Sequence, residues 1–171
     1  MKIYTKRGDQ GQTDLLTKRV QKTDLRISVN GAIDETMAYV LMTKHEITDQ
    51  QVISDLDMIH EDLFQMAYEI ALSNENKHVI KKERVEWIES RIDFYDDKLR
   101  PLSKFIKLDQ TKAASWLNMI RVMSRRAERE LVYLNEQQHL NEYTMAYINR
   151  LSDYMFTLGR YFDEVVKGEM K

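Results

Sequence analysis

The chain contains no cysteine, which excludes disulfides, thiolate metal sites and a cysteine nucleophile and permits a reducing intracellular compartment. It contains one proline, Pro101, and five glycines. Gly8, Gly11 and Gly31 fall early and Gly159 and Gly168 late, so the long middle holds few residues that break a helix. No stretch approaches the roughly 20 apolar residues of a membrane span. The opening MKIYTKRGDQGQTD lacks a signal peptide's apolar run, so the expected location is the cytoplasm. Excess charge is missing too: 26 Lys and Arg stand against 28 Asp and Glu, a net charge of −2. Nothing global therefore points to nucleic acid or an anionic membrane as partner, and any anion site must be local. At 171 residues the chain can bury a core without staples, and one domain over 1–171 is expected, with an arm over 1–24 and a bundle over 25–171.

What is there is helical periodicity. The arm has none; it reads as an ordered loop with a short strand at Lys2 to Thr5. Five helical segments follow. The first covers Leu25 to Glu46, with Val29, Ala32, Ile33, Val40 and Leu41 as its buried stripe. The second begins at a capping box, Thr48 to Gln51, and carries Ile53, Leu56, Ile59, Leu63, Met66, Ala67 and Ile70 at spacings of three and four. The third covers Lys81 to Leu99. Pro101 ends it and makes Arg100 to Gln110 a connection, whose Leu102, Phe105, Ile106 and Leu108 need cover. The fourth starts after Asp109 as N-cap and runs to Glu136 with Leu117, Ile120, Ser124, Ala127, Leu131 and Leu134 inward; the fifth spans Asn141 to Lys167. The expected fold class is all-α, a five-helix bundle.

Charge and backbone freedom coincide in the arm. From Met1 to Gly31 seven basic residues face three acidic ones, a local surplus of +4. Gly8 and Gly11 allow backbone N–H groups to approach phosphate oxygens, Thr5 and Thr13 offer hydroxyls, and Lys6 a point charge. The spacing is not that of a P-loop, so a solvated turn with ordinary surface charge is the competing reading. On the fourth segment Arg121 and Arg125 lie one turn apart with Glu128 on the same face, and Arg126 is rotated about 100° toward solvent or a neighbouring subunit. This pattern suits either a salt-bridged surface or bidentate clamping of phosphate. Asn149 with Asp153, and Asp34 with Glu35, are further polar pairs. Glu136 and His139 make one Glu-x-x-His, and a di-iron bundle needs two, so no metal ligation is expected. The aromatics from Tyr143 to Phe162 read as core and subunit interface.

Taken in order, six pieces of the chain resemble the trimeric ATP:corrinoid adenosyltransferases. They are Ile3-Tyr4-Thr5-Lys6-Arg7-Gly8-Asp9-Gln10-Gly11, Arg19 to Arg26, Gly31-Ala32-Ile33-Asp34-Glu35, Pro101 to Ile106, Arg121 to Arg129 and Tyr147 to Tyr154. The resemblance implies that Thr5, Lys6, Arg7, Gly8, Asp9, Gly11, Thr13, Asp14 and Lys22 hold the ATP triphosphate. Arg125, Arg126, Glu128 and Arg129 complete the nucleotide site, and Asn149 contacts the ribose or adenine. It implies that Asp34 pairs with Arg121 across a subunit boundary and that Phe105 presses on the lower face of the corrin. Arg125, Arg121, Asp34 and Phe105 are then the catalytic set, in a homotrimer using ATP, Mg²⁺ and cobalamin. The implied reaction is attack of Co(I) on the 5′ carbon of ATP, with a flavoprotein reductase supplying the reduced corrinoid and an adenosylcobalamin-dependent enzyme receiving the product. Cobalt is the nucleophile, so the missing cysteine costs the chemistry nothing. A non-catalytic carrier or regulator that binds ATP or adenosylcobalamin is the alternative.

The chain departs from the family at identifiable places. Lys107-Leu108-Asp109-Gln110 stands where Leu-Pro-Gly-Gly is usual, and Asn118 where His is usual. Thr36-Met37 replaces Leu-Asn, and Thr17-Lys18 replaces Gly-Gly with one residue deleted.

Overall fold

A computed structural model describes residues 2–72, 78–103 and 105–169. A small antiparallel hairpin, β1 (Gln12–Asp14) and β2 (Arg19–Gln21), pairs Gln12 with Gln21, Thr13 with Val20 and Asp14 with Arg19. Then come α1 (Leu25–Lys44), α2 (Gln50–Leu72), α3 (Lys82–Asp96), α4 (Lys112–Gln137) and α5 (Glu142–Tyr161). A π-helical turn, Phe162–Val166, and a last α-turn, α6 (Lys167–Glu169), continue α5. The all-α five-helix bundle expected from periodicity is the observed fold. α4 packs between α1 and α5, with α2 beside α1 and α3 beside α5.

The local starts and stops differ from the sequence expectation where two polar residues compete for a cap. Lys2 to Thr5 form no strand; the strands lie at Gln12–Asp14 and Arg19–Gln21 instead. Helix α2 is capped by Asp49, whose carboxylate accepts from Gln51 N at 2.8 Å and Val52 N at 3.2 Å, so Thr48 is not the cap. Thr111 rather than Asp109 caps α4, its hydroxyl accepting from Ala114 N at 3.1 Å. Asp24 and Asn141 cap α1 and α5.

The core joins Val29, Ile33 and Val40 of α1, Leu56, Ile59, Leu63 and Met66 of α2, and Leu117, Ile120, Leu131, Leu151 and Leu158 of α4 and α5. Leu41, expected inside, is 45% exposed. Tyr147, Tyr154 and Phe162 are buried, so these fifth-helix aromatics are core. Exposed apolar side chains lie elsewhere, at Leu41 and Met42 on α1, Phe64 and Tyr68 on α2, and Val122, Val132 and Tyr133 on α4.

A second, polar core was not expected. Asp55, Asp62 and Glu69 recur every seven residues along α2, two helical turns apart, and all three are buried. Asp55 Oδ2 accepts from Arg91 Nε at 2.8 Å and from the Tyr154 hydroxyl at 2.7 Å. Asp62 accepts from Arg84 Nε at 2.8 Å and Nη2 at 2.6 Å and from the Tyr147 hydroxyl at 2.7 Å. Glu69 accepts from the Thr144 hydroxyl at 2.8 Å and from Val79 N at 2.5 Å, tying the start of α3 to α5. Burial, then the neighbouring carboxylate, pushes the Tyr147 and Tyr154 phenols well above their ordinary range, so both stay protonated donors. Burial works against charge on Arg84, and the hydrogen bond and charge of Asp62 more than offset it, holding the guanidinium above its usual value.

Candidate functional site

The arm is turned by two residues in the left-handed region, Lys6 at φ 58° and Gly11 at φ 81°. Gly11 N donates to Gly8 O at 3.2 Å and Lys22 N donates to Gly11 O at 2.8 Å, which folds the loop back on the start of α1. A Cβ on Gly8 would stand 3.3 Å from Lys22 Nζ and 3.4 Å from Gln12 O. Glycine at that position therefore leaves room for the Lys22 ammonium beside the backbone. Asp14 is committed within the arm, to Arg19 at 2.8 Å and Arg7 at 3.2 Å. Thr5 Oγ1 accepts from Arg7 N at 3.4 Å. Asp9 is exposed, and Thr13 sits half-buried in β1.

On α4 the four arginines have different fates. Arg121 Nε donates to Asn118 Oδ1 at 2.9 Å. Arg126 is exposed, on the solvent side that the sequence reading allowed it, and pairs there with Glu35 of α1 at 2.5 Å. Arg129 Nη1 donates to the Arg125 carbonyl at 3.1 Å. The guanidinium of Arg125 alone has no hydrogen bond or ion pair among the described residues. Across the α4–α5 seam Asn149 Nδ2 donates to Glu128 Oε1 at 2.7 Å, and Asn149 Oδ1 accepts from Arg150 Nη1 at 2.7 Å. Burial raises the Asp153 carboxyl; Arg150 opposes this, Glu128 adds to it and Arg125 opposes it, so all three charges act on Asp153.

Asp34 is exposed on α1 and has no ion pair among the described residues; in particular none joins it to Arg121. No hydrogen bond or ion pair among the described residues joins the arm to Arg125, Arg126, Glu128 or Arg129. One chain thus presents the two parts of the anticipated nucleotide site separately.

The connection after Pro101 is only partly covered. Leu108 is buried and Ile106 half-buried, but Leu102 is exposed and Phe105 fully so. A cleft of about 340 Å³ opens beside it, lined by Ile106, Lys107, Leu108, Asp109, Asn118, Arg121 and Phe156. The departures at Lys107 to Asp109 and at Asn118, nine residues further on in α4, meet in this one cleft. The sequence reading missed that adjacency, the Glu35–Arg126 pair and the seven-residue polar ladder; only the ladder had a readable signal, in the equal spacing of Asp55 and Asp62, Arg84 and Arg91, and Tyr147 and Tyr154.

The fold defines the class: an all-α five-helix bundle with a cationic, glycine-turned arm. The cobalamin adenosyltransferase family profile matches residues 3–162. The corrinoid adenosyltransferase of Bacillus subtilis is 38% identical over 165 residues, covering 94% of this chain and 86% of that protein. PduO of Salmonella typhimurium, also a corrinoid adenosyltransferase, is 36% identical over 94% of this chain, which spans 49% of its length. Among solved structures, an arginine-to-lysine variant of the Lactobacillus reuteri PduO-type ATP:corrinoid adenosyltransferase, complexed with ATP, superposes with a TM-score of 0.90 at 34% identity, covering 96% of each chain. A phenylalanine-to-alanine variant of the same enzyme, complexed with cobalamin and ATP, superposes at 0.88 with 33% identity, covering 97% of this chain and 96% of that one. The chain belongs to the cobalamin adenosyltransferase family, and it is an enzyme of adenosyl transfer from ATP to a corrinoid.

Proposed function

We propose that residues 1–171 work as one adenosyltransferase domain whose two cationic surfaces meet around ATP between neighbouring copies of a homotrimer. The observation that carries this is the separation within one chain: the Gly8–Lys22 opening on the arm, and the uncommitted Arg125 beside the Glu128–Asn149 pair on α4. Lys6, Lys22, Arg7 and the backbone of Gly8 to Gly11, with Thr5, Asp9 and Thr13 around them, take the triphosphate. Asp14 braces the arm's arginines. Arg125 neutralises charge that grows on the leaving triphosphate, Arg126 and Arg129 frame it, and Glu128 orients Asn149 toward the ribose or adenine. Asp34 of one copy reaches Arg121 of the next, since neither has the other within its own chain. The exposed apolar residues of α1, α2 and α4 supply surface for such contacts. Light scattering should give three times the 20.4 kDa chain mass; a stable monomer at micromolar concentration would remove the shared site.

No group of three or more His, Asp or Glu side chains among the described residues is placed to hold a metal. Mg²⁺ fits this chain as an ion carried on the phosphate oxygens, its usual mode of binding beside nucleotides. The adenosyl group moves when Co(I) of the reduced corrinoid attacks the 5′ carbon of ATP, the Co–C bond forming as the C–O bond to triphosphate breaks. The chain's work is alignment, exclusion of water and charge neutralisation. The setting is the cytoplasm, with a reductase supplying the substrate and an adenosylcobalamin-dependent enzyme taking the product; no helix among the described residues is long and apolar enough to cross a membrane.

Phe105 belongs to the corrinoid side. Its ring is fully exposed, one residue before Ile106 of the cleft lining, so it does not plug the bundle, and truncation should cost about 0.5 kcal/mol of stability or less. Phe105→Ala should bind ATP normally by calorimetry and lose the visible band of four-coordinate Co(II) in the ternary complex. Unchanged Co(II) spectra would take Phe105 out of the site.

A further inference from the structure

The segment bearing Phe105 is held at both ends by one short stretch of chain, residues 159–167. At its start Arg160, 5% exposed, donates from Nη2 to the Arg100 carbonyl at 2.6 Å, while its Nε holds Glu164 at 3.0 Å and its Nη1 lies 3.6 Å from Asp96. At its end the Asp163 carboxylate accepts from Thr111 N at 2.8 Å, the Thr111 hydroxyl at 3.0 Å and Gln110 N at 3.2 Å. Lys167 Nζ adds a bond to Gln110 Oε1 at 2.8 Å. Between these, Leu108 seats on Gly159 so closely that a Cβ there would stand 2.9 Å from Leu108 Cδ1. Asp163 lies in the π-helical turn, a local widening that recurs at functional sites.

A connection needs no such tethering to be stable; a solvated turn satisfies its own backbone. Here a buried guanidinium is committed to a main-chain carbonyl and a carboxylate to two main-chain N–H groups, while the middle of the segment presents Leu102 and Phe105 bare. A buried charge is costly unless it is partnered, and the Arg160 guanidinium finds its partners in Glu164 and the Arg100 carbonyl. The tethers fix where an exposed aromatic stands.

We infer that Arg160 and Asp163 are positioning residues for the corrinoid: touching neither substrate, they set the position of Phe105 and of the cleft rim at Ile106 to Leu108. The inference rests on the assignment of Phe105 to the corrinoid side. In the full chain Asp163→Ala and, separately, Arg160→Met should each raise the KM for reduced corrinoid about tenfold while the KM for ATP stays within about twofold. In a Phe105→Ala background Asp163→Ala should add less than about twofold, because the group it positions is gone. A purely structural role predicts a different result: a lower melting temperature, a smaller active fraction and both KM values unchanged. That outcome, an equal rise in both KM values, or full additivity with Phe105→Ala would each overturn the inference. Should Asp163→Ala fail to fold, Asp163→Asn keeps one acceptor for Thr111 and loses the one facing Gln110, and a smaller rise confined to the corrinoid KM is then expected. If Phe105→Ala leaves the corrinoid KM unchanged, the assignment of Phe105 falls and the inference with it. If Phe105→Ala raises it and neither tether variant does, the inference alone falls.

Discussion

Replacing Arg125 with alanine is expected to lower turnover by about a hundredfold to a thousandfold, the usual cost of deleting one donor aimed at developing charge. Helical circular dichroism should stay unchanged. The reason for this asymmetry lies in what the guanidinium does in the free chain, where it has neither hydrogen bond nor ion pair among the described residues. An exposed, unpaired arginine contributes well under about 1 kcal/mol to stability, so its loss should not disturb the bundle. Its neighbours are committed: Arg126 to Glu35, Arg121 to Asn118 and Arg129 to the α4 backbone. Of these four arginines Arg125 is therefore the one that can meet a triphosphate without first breaking an internal contact. Arg125→Lys keeps the charge but not the planar fork, and should recover only part of the rate. Steady-state kinetics with reduced cobalamin, at saturating ATP and Mg²⁺, decide the matter. An alanine variant that kept most of its activity would show that α4 does not serve the leaving group.

The sequence made the bundle legible because one signal dominates it. Apolar residues at spacings of three and four run through α2, α4 and α5, and a single proline punctuates the chain between α3 and α4. Helix starts were less legible, since Thr48 and Asp49, or Asp109 and Thr111, are each good caps and the choice is made by which side chain reaches the N–H groups in three dimensions. The arm was read correctly as a glycine-turned basic segment, but its strands were misplaced. Three-residue strands depend on pairing, and Gln12–Asp14 against Arg19–Gln21 is fixed by the turn between them rather than by any alternation. Of the candidate site, the residues of Arg121 to Arg129 were legible as a cluster, whereas their division of labour was not. Angular position on a helix says which arginines share a face; it does not say that Glu35 on another helix will claim Arg126. The exposure of Phe105 also ran against a rule that serves well for cores, that an apolar connection is covered. Its two buried members, Leu108 and to a lesser degree Ile106, follow the rule, whereas Leu102 and Phe105 break it.

Asp62→Ala is expected to destabilise the chain by about 3 to 5 kcal/mol, a large share of the stability of a typical domain. The carboxylate is buried and serves two donors at once, the Arg84 guanidinium through Nε and Nη2 and the Tyr147 hydroxyl. Alanine would leave a partly buried cation over the Trp87 ring, 4.4 Å from its centroid, and a fully buried phenol with no acceptor at Asp62. Each orphaned group then carries its full desolvation cost, which is why breaking one partner is worse than removing the whole set. That distinction supplies the control. Replacing the rung together, Asp62→Leu with Arg84→Met and Tyr147→Phe, removes every polar partner while keeping most of the volume, and should leave the melting temperature near or above that of the parent. Tyr147→Phe alone deletes one hydrogen bond of several and should cost about 1 kcal/mol. Thermal and urea melts of the three variants order the effects. If the triple replacement were as unstable as Asp62→Ala, the loss would come from packing at the α2–α3–α5 junction, and the seven-residue ladder would not be an electrostatic element of the fold. If it is stable while Asp62→Ala is not, the ladder's contribution is the mutual satisfaction of charges that the bundle has already paid to bury.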